Sequence, residues 1–264
     1  MILPVLTFNL RVDIPQDGKN AWAYRSKKAA ELIKKYEPFV FGTQEGLLHM
    51  VTDLEKDLTD YGWVGEGREG GENNEFCAIF YHKKWLEVVE NGQFWLSEQP
   101  SVPNSTSWES SYPRICTWAT FKLKSNHNKK FIVFNTHLDH LSQSARENGI
   151  QLIGEEIKRH HAKTQLPVIL MGDFNSEPEN VVIRFIRGLE FINGSTIHLQ
   201  DAFEKLKGPP GRTFHGFNGG IEGKPIDYIF ATNDIVMKDT KIIRSKLDEI
   251  YPSDHFPVVT SIEI

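Results

Sequence analysis

Short runs of continuous or alternating apolar residues punctuate the chain, and between several of them apolar positions recur every three or four residues. Val5 to Asn9 reads as a strand. Trp22, Ala29, Leu32, Ile33 and Tyr36 then fall on one helical face, with Lys27, Lys28, Lys34 and Lys35 away from it. Pro38 stops that helix, and Phe39 to Gly42 reads as the next strand. A second amphipathic segment follows around Leu47, Met50, Leu54 and Leu58. The middle differs: Phe76 to Tyr81, Leu86 to Val89, Ile115 to Phe121 and Lys130 to Asn135 are successive strands with turns and no helix between them, an antiparallel pattern. The α/β rhythm then returns. Ser144-Ala-Arg-Glu147 has the form of a capping box opening a helix that carries Ile150, Ile153 and Ile157 on one side. Val168 to Met171, Ile226 to Ala231 and Phe256 to Ile264 complete the strands. The expectation is one α/β domain over residues 1–264, with two mixed sheets packed face to face and helices outside.

Length and composition narrow the classes. A chain of 264 residues with 39% apolar and 25% charged residues is ordinary for a soluble globular protein. Its net charge of −5 argues against a protein that grips long nucleic acid through many phosphates, because such affinity comes from displaced counterions. No apolar run approaches the length of a membrane span, and the start, Met1-Ile-Leu-Pro, lacks a basic n-region and a cleavage site. Cytoplasm is the expected compartment, with secretion left open, and a monomer the expected state. Cys77 and Cys116 sit in apolar strand-like runs and are expected as small buried hydrophobes.

The polar residues that follow the strands carry the chemistry. Val5 to Phe8 runs into Asn9, Phe39 to Gly42 into Gln44 and Glu45, Phe131 to Phe134 into Asn135 and His137, and Val168 to Met171 into Asp173 and Asn175. Asp227 opens a strand, and Ser253-Asp254-His255 precedes the last one. Taken singly, Asp and Asn after a strand are common turn residues. Six such events, all offering oxygen or imidazole donors, are not explained by turns alone, since strand ends are where α/β sheets hold ligands. Oxygen donors without thiolates suit a hard cation, Mg²⁺ with Mn²⁺ as a substitute. Such a cation beside an imidazole and an Asp-x-Asn pair points to hydrolysis at phosphorus.

Thr-Phe-Asn9-Leu-Arg11, Gly-Thr-Gln44-Glu45-Gly, Asn135-Thr-His137-Leu, Gly-Asp173-Phe-Asn175-Ser, Ile-Asp227-Tyr-Ile and Ser-Asp254-His255-Phe resemble, in order and over nearly the whole chain, the motifs of the endonuclease/exonuclease/phosphatase superfamily. The resemblance implies a four-layered α/β sandwich of DNase I type, with the site at the rim of two central sheets. It also implies roles: Glu45 as principal metal ligand, with Asn9 helping around metal and phosphate and Asp254 at or near the metal. Asp173 would activate water, and Asn175 would hold that water and a phosphate oxygen. His255 would bind the scissile phosphate with its ring oriented by Asp227, and His137 would contact the phosphate. The phrasing Asn-Thr-His-Leu and Ile-Asp-Tyr-Ile-Phe is nearest the deadenylase-like branch. Arg11 departs from the repair endonucleases, and Asp173-Phe-Asn175-Ser from the inositol phosphatases.

A phosphodiesterase, nuclease- or 3′–5′ exonuclease-like, is the first expectation, with a single strand of nucleic acid or a small phosphorylated molecule as its partner. A phosphomonoesterase of a small phosphorylated molecule, or a sphingomyelinase-type enzyme, is the alternative, and an inactive binding module the distant one. Arg114, Phe214, His215 and Asn218 are the expected substrate contacts: Arg114 because its fork suits phosphate, the others because glycines around them leave their rings few core neighbours. Three other signals are set aside. Gly65-Glu-Gly67-Arg-Glu-Gly70 mimics a dinucleotide fingerprint but is expected to be a flexible loop, since no helix follows. Asn135-Thr-His137-Leu-Asp139-His140 comes within one residue of a metallo-β-lactamase-like zinc run, and His160-His161 is expected on a solvated helix face.

Overall fold

The computed structural model describes residues 2–264, with the backbone alone at Asn128. In chain order the elements are β1 (Leu3–Asn9), α1 (Trp22–Tyr36), β2 (Val40–Gln44), α2 (Leu48–Asp57), β3 (Tyr61–Val64), β4 (Ile79–His82), β5 (Leu86–Trp95) and β6 (Ile115–Leu123). There follow β7 (Asn126–His137), α3 (Gln143–Thr164), β8 (Val168–Asp173), α4 (Val181–Ile186), β9 (Gln200–Asp201), β10 (Asp227–Ala231), β11 (Val236–Ile242) and β12 (Val258–Glu263). They build two six-stranded sheets, ordered β11-β12-β1-β2-β4-β3 and β5-β6-β7-β8-β10-β9. Each sheet has one parallel pair, β1 with β2 and β7 with β8, and antiparallel neighbours elsewhere. The parallel pairs are those whose strands are joined by the long helices α1 and α3, because a parallel partner requires a crossover.

Three apolar layers hold this sandwich together. Val5, Val40, Ile79, Phe121, Phe131, Val133, Met171 and Val258 pack between the sheets. Trp22, Ala29, Leu32 and Ile33 of α1, with Met50, Val51 and Leu54 of α2, cover Leu6, Phe8, Phe41 and Phe80 on the outside of the first sheet. Ile150, Ile153 and Ile157 of α3 and Phe185 of α4 cover Ile132, Phe134, Leu170 and Phe230 of the second. The order is thus helix, sheet, sheet, helix, and burial of each large side chain contributes about 2–3 kcal/mol.

Local details correct the sequence reading at several points. Ser142, not Ser144, caps α3: its Oγ accepts from the Ala145 N–H at 3.1 Å. The short strands β3 and β9 and the half-exposed β11 carried too little apolar pattern to be read. The Gly65 to Gly70 segment is tied rather than loose, with Gly67 N donating to Gly71 O at 2.7 Å and Arg68 N to Glu75 O at 2.9 Å. His160 is buried against Trp118, ring centroids 4.4 Å apart, and Phe134, so it is a packing residue of α3 and not part of a wet face.

The two sheets approach closely at their functional rim. Asn135 of β7 reaches across to β2 and β4, donating from Nδ2 to Thr43 O and Ala78 O, each at 2.9 Å, and accepting from Gln44 Nε2 at 2.7 Å. Gly42 makes room for it: a Cβ there would lie 2.6 Å from Asn135 Oδ1. Gly172 has the same task within the second sheet, at φ +149 with the Thr136 carbonyl 2.0 Å from where its Cβ would be.

Candidate active site

Strand register brings the predicted residues together. Asn9 sits opposite Gln44 across the parallel pair of the first sheet, and His137, Asp173 and Asp227 lie side by side across β7, β8 and β10. Asp254 and His255 arrive from the loop before β12, which pairs with β1. The chain turns sharply where it leaves the strands: Arg11, Glu45 and Asn175 have φ of 57, 61 and 46. Such left-handed geometry costs a non-glycine residue about 1–2 kcal/mol, and here it falls at the site.

Contacts between the sheets define the centre. Asn9 Nδ2 donates to Glu45 Oε1 and to Asp173 Oδ2, both at 2.9 Å, while its Oδ1 accepts from Arg11 N. With both amide hydrogens committed, Asn9 braces two carboxylates. Glu45 Oε2 accepts from Val12 N at 2.8 Å. Asn175 Nδ2 donates to His137 Nε2 at 3.0 Å and to Leu138 O at 2.9 Å. Only its carbonyl oxygen remains for the cavity, so the amide can take a hydrogen bond from water but cannot donate one to a phosphate oxygen. Asp227 Oδ2 lies 2.9 Å from His255 Nδ1, which leaves Nε2 as the working nitrogen. Arg25, buried on α1, donates to the carbonyls of Leu10, Pro252 and Asn20 and so fixes both loops that carry the site.

Burial sets the charges. It pushes the Asp173 carboxyl up to about 7, with the neighbouring Asp227 adding to the effect. It raises Asp254 too, reinforced by Glu45. Although burial opposes a charge on His255, Asp227, Asp173 and Asp254 hold its pKa well above the usual imidazole range. Burial, with Arg114 and His255 nearby, pushes His137 the other way, to the neutral form.

Donor atoms of Glu45, His137 and Asp173 all lie within 4.8 Å of one another. Carboxylates and an imidazole without thiolate suit a hard divalent cation, and buried acids held above their normal range mark a site short of positive charge. The residues therefore fit a divalent metal. Asp254 faces the same cavity, with its Oδ2 3.8 Å from Arg11 Nε.

A cavity of about 540 Å³ opens onto these groups, lined by Glu45, His137, Asp173, Asn175, Asp254 and His255 and also by Arg114 and Phe214. Phe214 is 49% exposed, its ring centroid 5.1 Å from that of His255. His215 points away: buried, it stacks on Phe256 at 3.8 Å and accepts from Gly219 N. Asn218 is exposed, outside the cavity, and caps a turn through its backbone. The glycine-rich surroundings thus misled for His215, whose core neighbours come from the segment leading into the last strand. Arg68, Glu75, Tyr112 and His140 also line the cavity and were missed. Arg68 lay inside the discounted glycine segment, and His140 inside the zinc-like run.

A sequence profile of the Endonuclease/Exonuclease/phosphatase family matches residues 6–255. Among solved structures, the mannosyl-6-phosphatase of Bacteroides thetaiotaomicron is 31% identical, with 99% of this chain and 100% of that chain covered and a TM-score of 0.89. An endonuclease/exonuclease/phosphatase from Bacteroides vulgatus is 32% identical over 100% of this chain and 99% of that one, with a TM-score of 0.90. The human nocturnin catalytic domain with bound sulfate shares the fold at 18% identity, covering 99% and 93% of the two chains with a TM-score of 0.76. Six ordered motifs, their convergence at one rim of a double sheet and these likenesses agree: the chain belongs to the endonuclease/exonuclease/phosphatase family of phosphoesterase-type hydrolases, with the DNase I-like fold.

Proposed function

We propose that the protein is a Mg²⁺-dependent hydrolase of phosphate esters on small molecules, attacking phosphorus in line with water. The observation that carries this reading is the contact of Asn9 with both Glu45 and Asp173, which sets a metal-binding carboxylate beside a basic one across the two sheets. Asp173 takes the proton of the attacking water, and the Asn175 carbonyl oxygen orients it. His255, charged and held by Asp227, donates to a phosphate oxygen and offsets the charge that grows there. Glu45, with Asp254 at hand, would hold the divalent ion, whose charge would neutralise the phosphate. Mn²⁺ is expected to substitute.

A small substrate is favoured over a polynucleotide. The net charge is −5, and the cavity is a pocket of about 540 Å³. The relative at 31% identity is named for a phosphatase acting on a mannosyl 6-phosphate. Phe214, beside His255, offers an apolar wall to the alcohol part. A panel of mannose 6-phosphate, a 5′-phosphorylated oligonucleotide, oligo(A) and sphingomyelin, each with Mg²⁺ and with EDTA, tests the reading. Turnover of the first that vanishes with EDTA and in Asp173→Asn is expected. Metal-independent turnover, or turnover of oligo(A) alone, overturns it.

A further inference from the structure

The part of the cavity wall formed by Arg114 and His140 takes no part in the chemistry assigned above. Arg114, just before β6, lines it with only 5% of its surface exposed. Its Nε lies 3.5 Å from Asp139 Oδ2 but, fully buried, makes no hydrogen bond. Nη2 is 3.0 Å from His140 Nδ1, and among the described residues Nη1 has no hydrogen-bond partner. Asp139 is occupied elsewhere, accepting from Ser111 Oγ at 2.6 Å, Ser142 N at 2.7 Å and Leu141 N at 2.9 Å. Its charge is thus spread over several donors, and the guanidinium remains a buried cation with donor capacity to spare.

His140 extends that capacity. Accepting at Nδ1 from Arg114, a neutral imidazole carries its proton on Nε2, and His140 lines the same cavity. Arg68 does not compete for the ligand. Both its Nη atoms are held by Glu75 at 2.9 Å, and its guanidinium lies 4.6 Å from the centroid of the Tyr112 ring, which stacks on His140. Arg68 and Tyr112 buttress the pair along the cavity wall.

A phosphoryl group undergoing in-line attack presents three equatorial oxygens. His255 and the metal side account for two. In a phosphate monoester the third is a terminal, charged oxygen, whereas in a diester it carries the second alcohol and less charge. We infer that Arg114, with the His140 imidazole bound to it, is the element that grips this third oxygen and makes the protein a phosphomonoesterase that discriminates against diesters. This deepens the proposed function and rests on it. The physical reason is asymmetry: a charge-assisted fork gains when its partner is an anion, and a buried cation left facing an ester group loses its compensation.

Rates on p-nitrophenyl phosphate and bis-p-nitrophenyl phosphate, with Mn²⁺ present, test it in wild type, Arg114→Ala, Arg114→Lys and His140→Ala. The expected result is a loss of about 100-fold in kcat/KM on the monoester for Arg114→Ala. The monoester-to-diester ratio should drop at least tenfold, and inhibition by inorganic phosphate should weaken in parallel. Arg114→Lys, which keeps the charge but not the fork, and His140→Ala should show smaller shifts in the same direction. These two variants carry the test if Arg114→Ala does not fold by circular dichroism. Equal losses on both esters, or an unchanged ratio and unchanged phosphate inhibition in every variant, overturn the inference. Wild type inert on both esters with metal would instead overturn the hydrolase reading itself. Phosphate-dependent thermal stabilisation that Arg114→Lys abolishes would then still support the grip.

Discussion

Asp227 Oδ2 lies 2.9 Å from His255 Nδ1, and Asp227 itself stands directly across from Asp173 on the neighbouring strand. One carboxylate therefore both steers the imidazole and raises the proton affinity of the other acid. The positive charge on His255 is the product of this arrangement, since burial alone would remove it.

Asp227→Asn should keep the fold and lose the charge. We expect kcat to fall by about 10²–10⁴, the range for a disabled general acid or base. His255 must be protonated to donate, so activity declines as pH rises through its pKa. Removing Asp227 lowers that pKa, and the alkaline limb should move to lower pH. A pH–rate profile with an unmoved alkaline limb would show that Asp227 does not act through His255.

Adding Mg²⁺ or Mn²⁺ should raise the melting temperature, because an ion bound only by the folded chain stabilises it in proportion to the logarithm of its concentration, by about 2.7 kcal/mol at 100 times Kd. Glu45→Gln should abolish the shift. Asn9→Ala should weaken it, since Asn9 Nδ2 holds Glu45 and Asp173 together. A full shift in Glu45→Gln, followed by differential scanning fluorimetry, would place the ion elsewhere.

Gly42→Ala probes the contact between the sheets. The added Cβ would lie 2.6 Å from Asn135 Oδ1 and displace an amide with three buried partners. Overpacking costs about 1–3 kcal/mol, and unsatisfied buried groups add a similar amount. Urea unfolding should show a loss of about 2–5 kcal/mol, and a change under 1 kcal/mol would mean that Asn135 moves freely.

Much of this was legible in the sequence. The strand ends carrying Asn9, Glu45, His137, Asp173, Asp227 and His255 stood out because each polar group follows or opens an apolar run, and register does the rest. Apart from Arg114, the second wall of the cavity was not legible. Arg68, Tyr112 and His140 reach it from loops, where no period announces direction. His215 looked free of neighbours because Tyr251 and Phe256, which flank its ring, lie about forty residues further along the chain. The separation of Asn9 from Phe214 in role, one bracing and one lining, also depends on depth beneath the surface, which sequence pattern does not encode.

That burial of His215 has its own consequence under acid. Burial first, with His255 nearby, lowers its pKa to about 4 from 6.5. The unfolded chain protonates His215 near pH 6.5, whereas the folded chain resists until about 4. Stability therefore falls as pH drops through that window. His215→Phe should flatten the fall in melting temperature between pH 6.5 and 4. An unchanged slope would assign acid sensitivity to the other histidines whose pKa values burial lowers, His82, His137, His140 and His160.

β12, although the last of the described strands along the chain, is not a peripheral one. β12 fills the gap between β11 and β1, and the residues just before it deliver Asp254 and His255. A chain lacking this segment can therefore assemble its whole second sheet and still be inert. Turnover would switch on only when this segment slots in, so hydrolysis would report its docking, and clipping the chain ahead of residue 254 would silence the protein whatever else had folded.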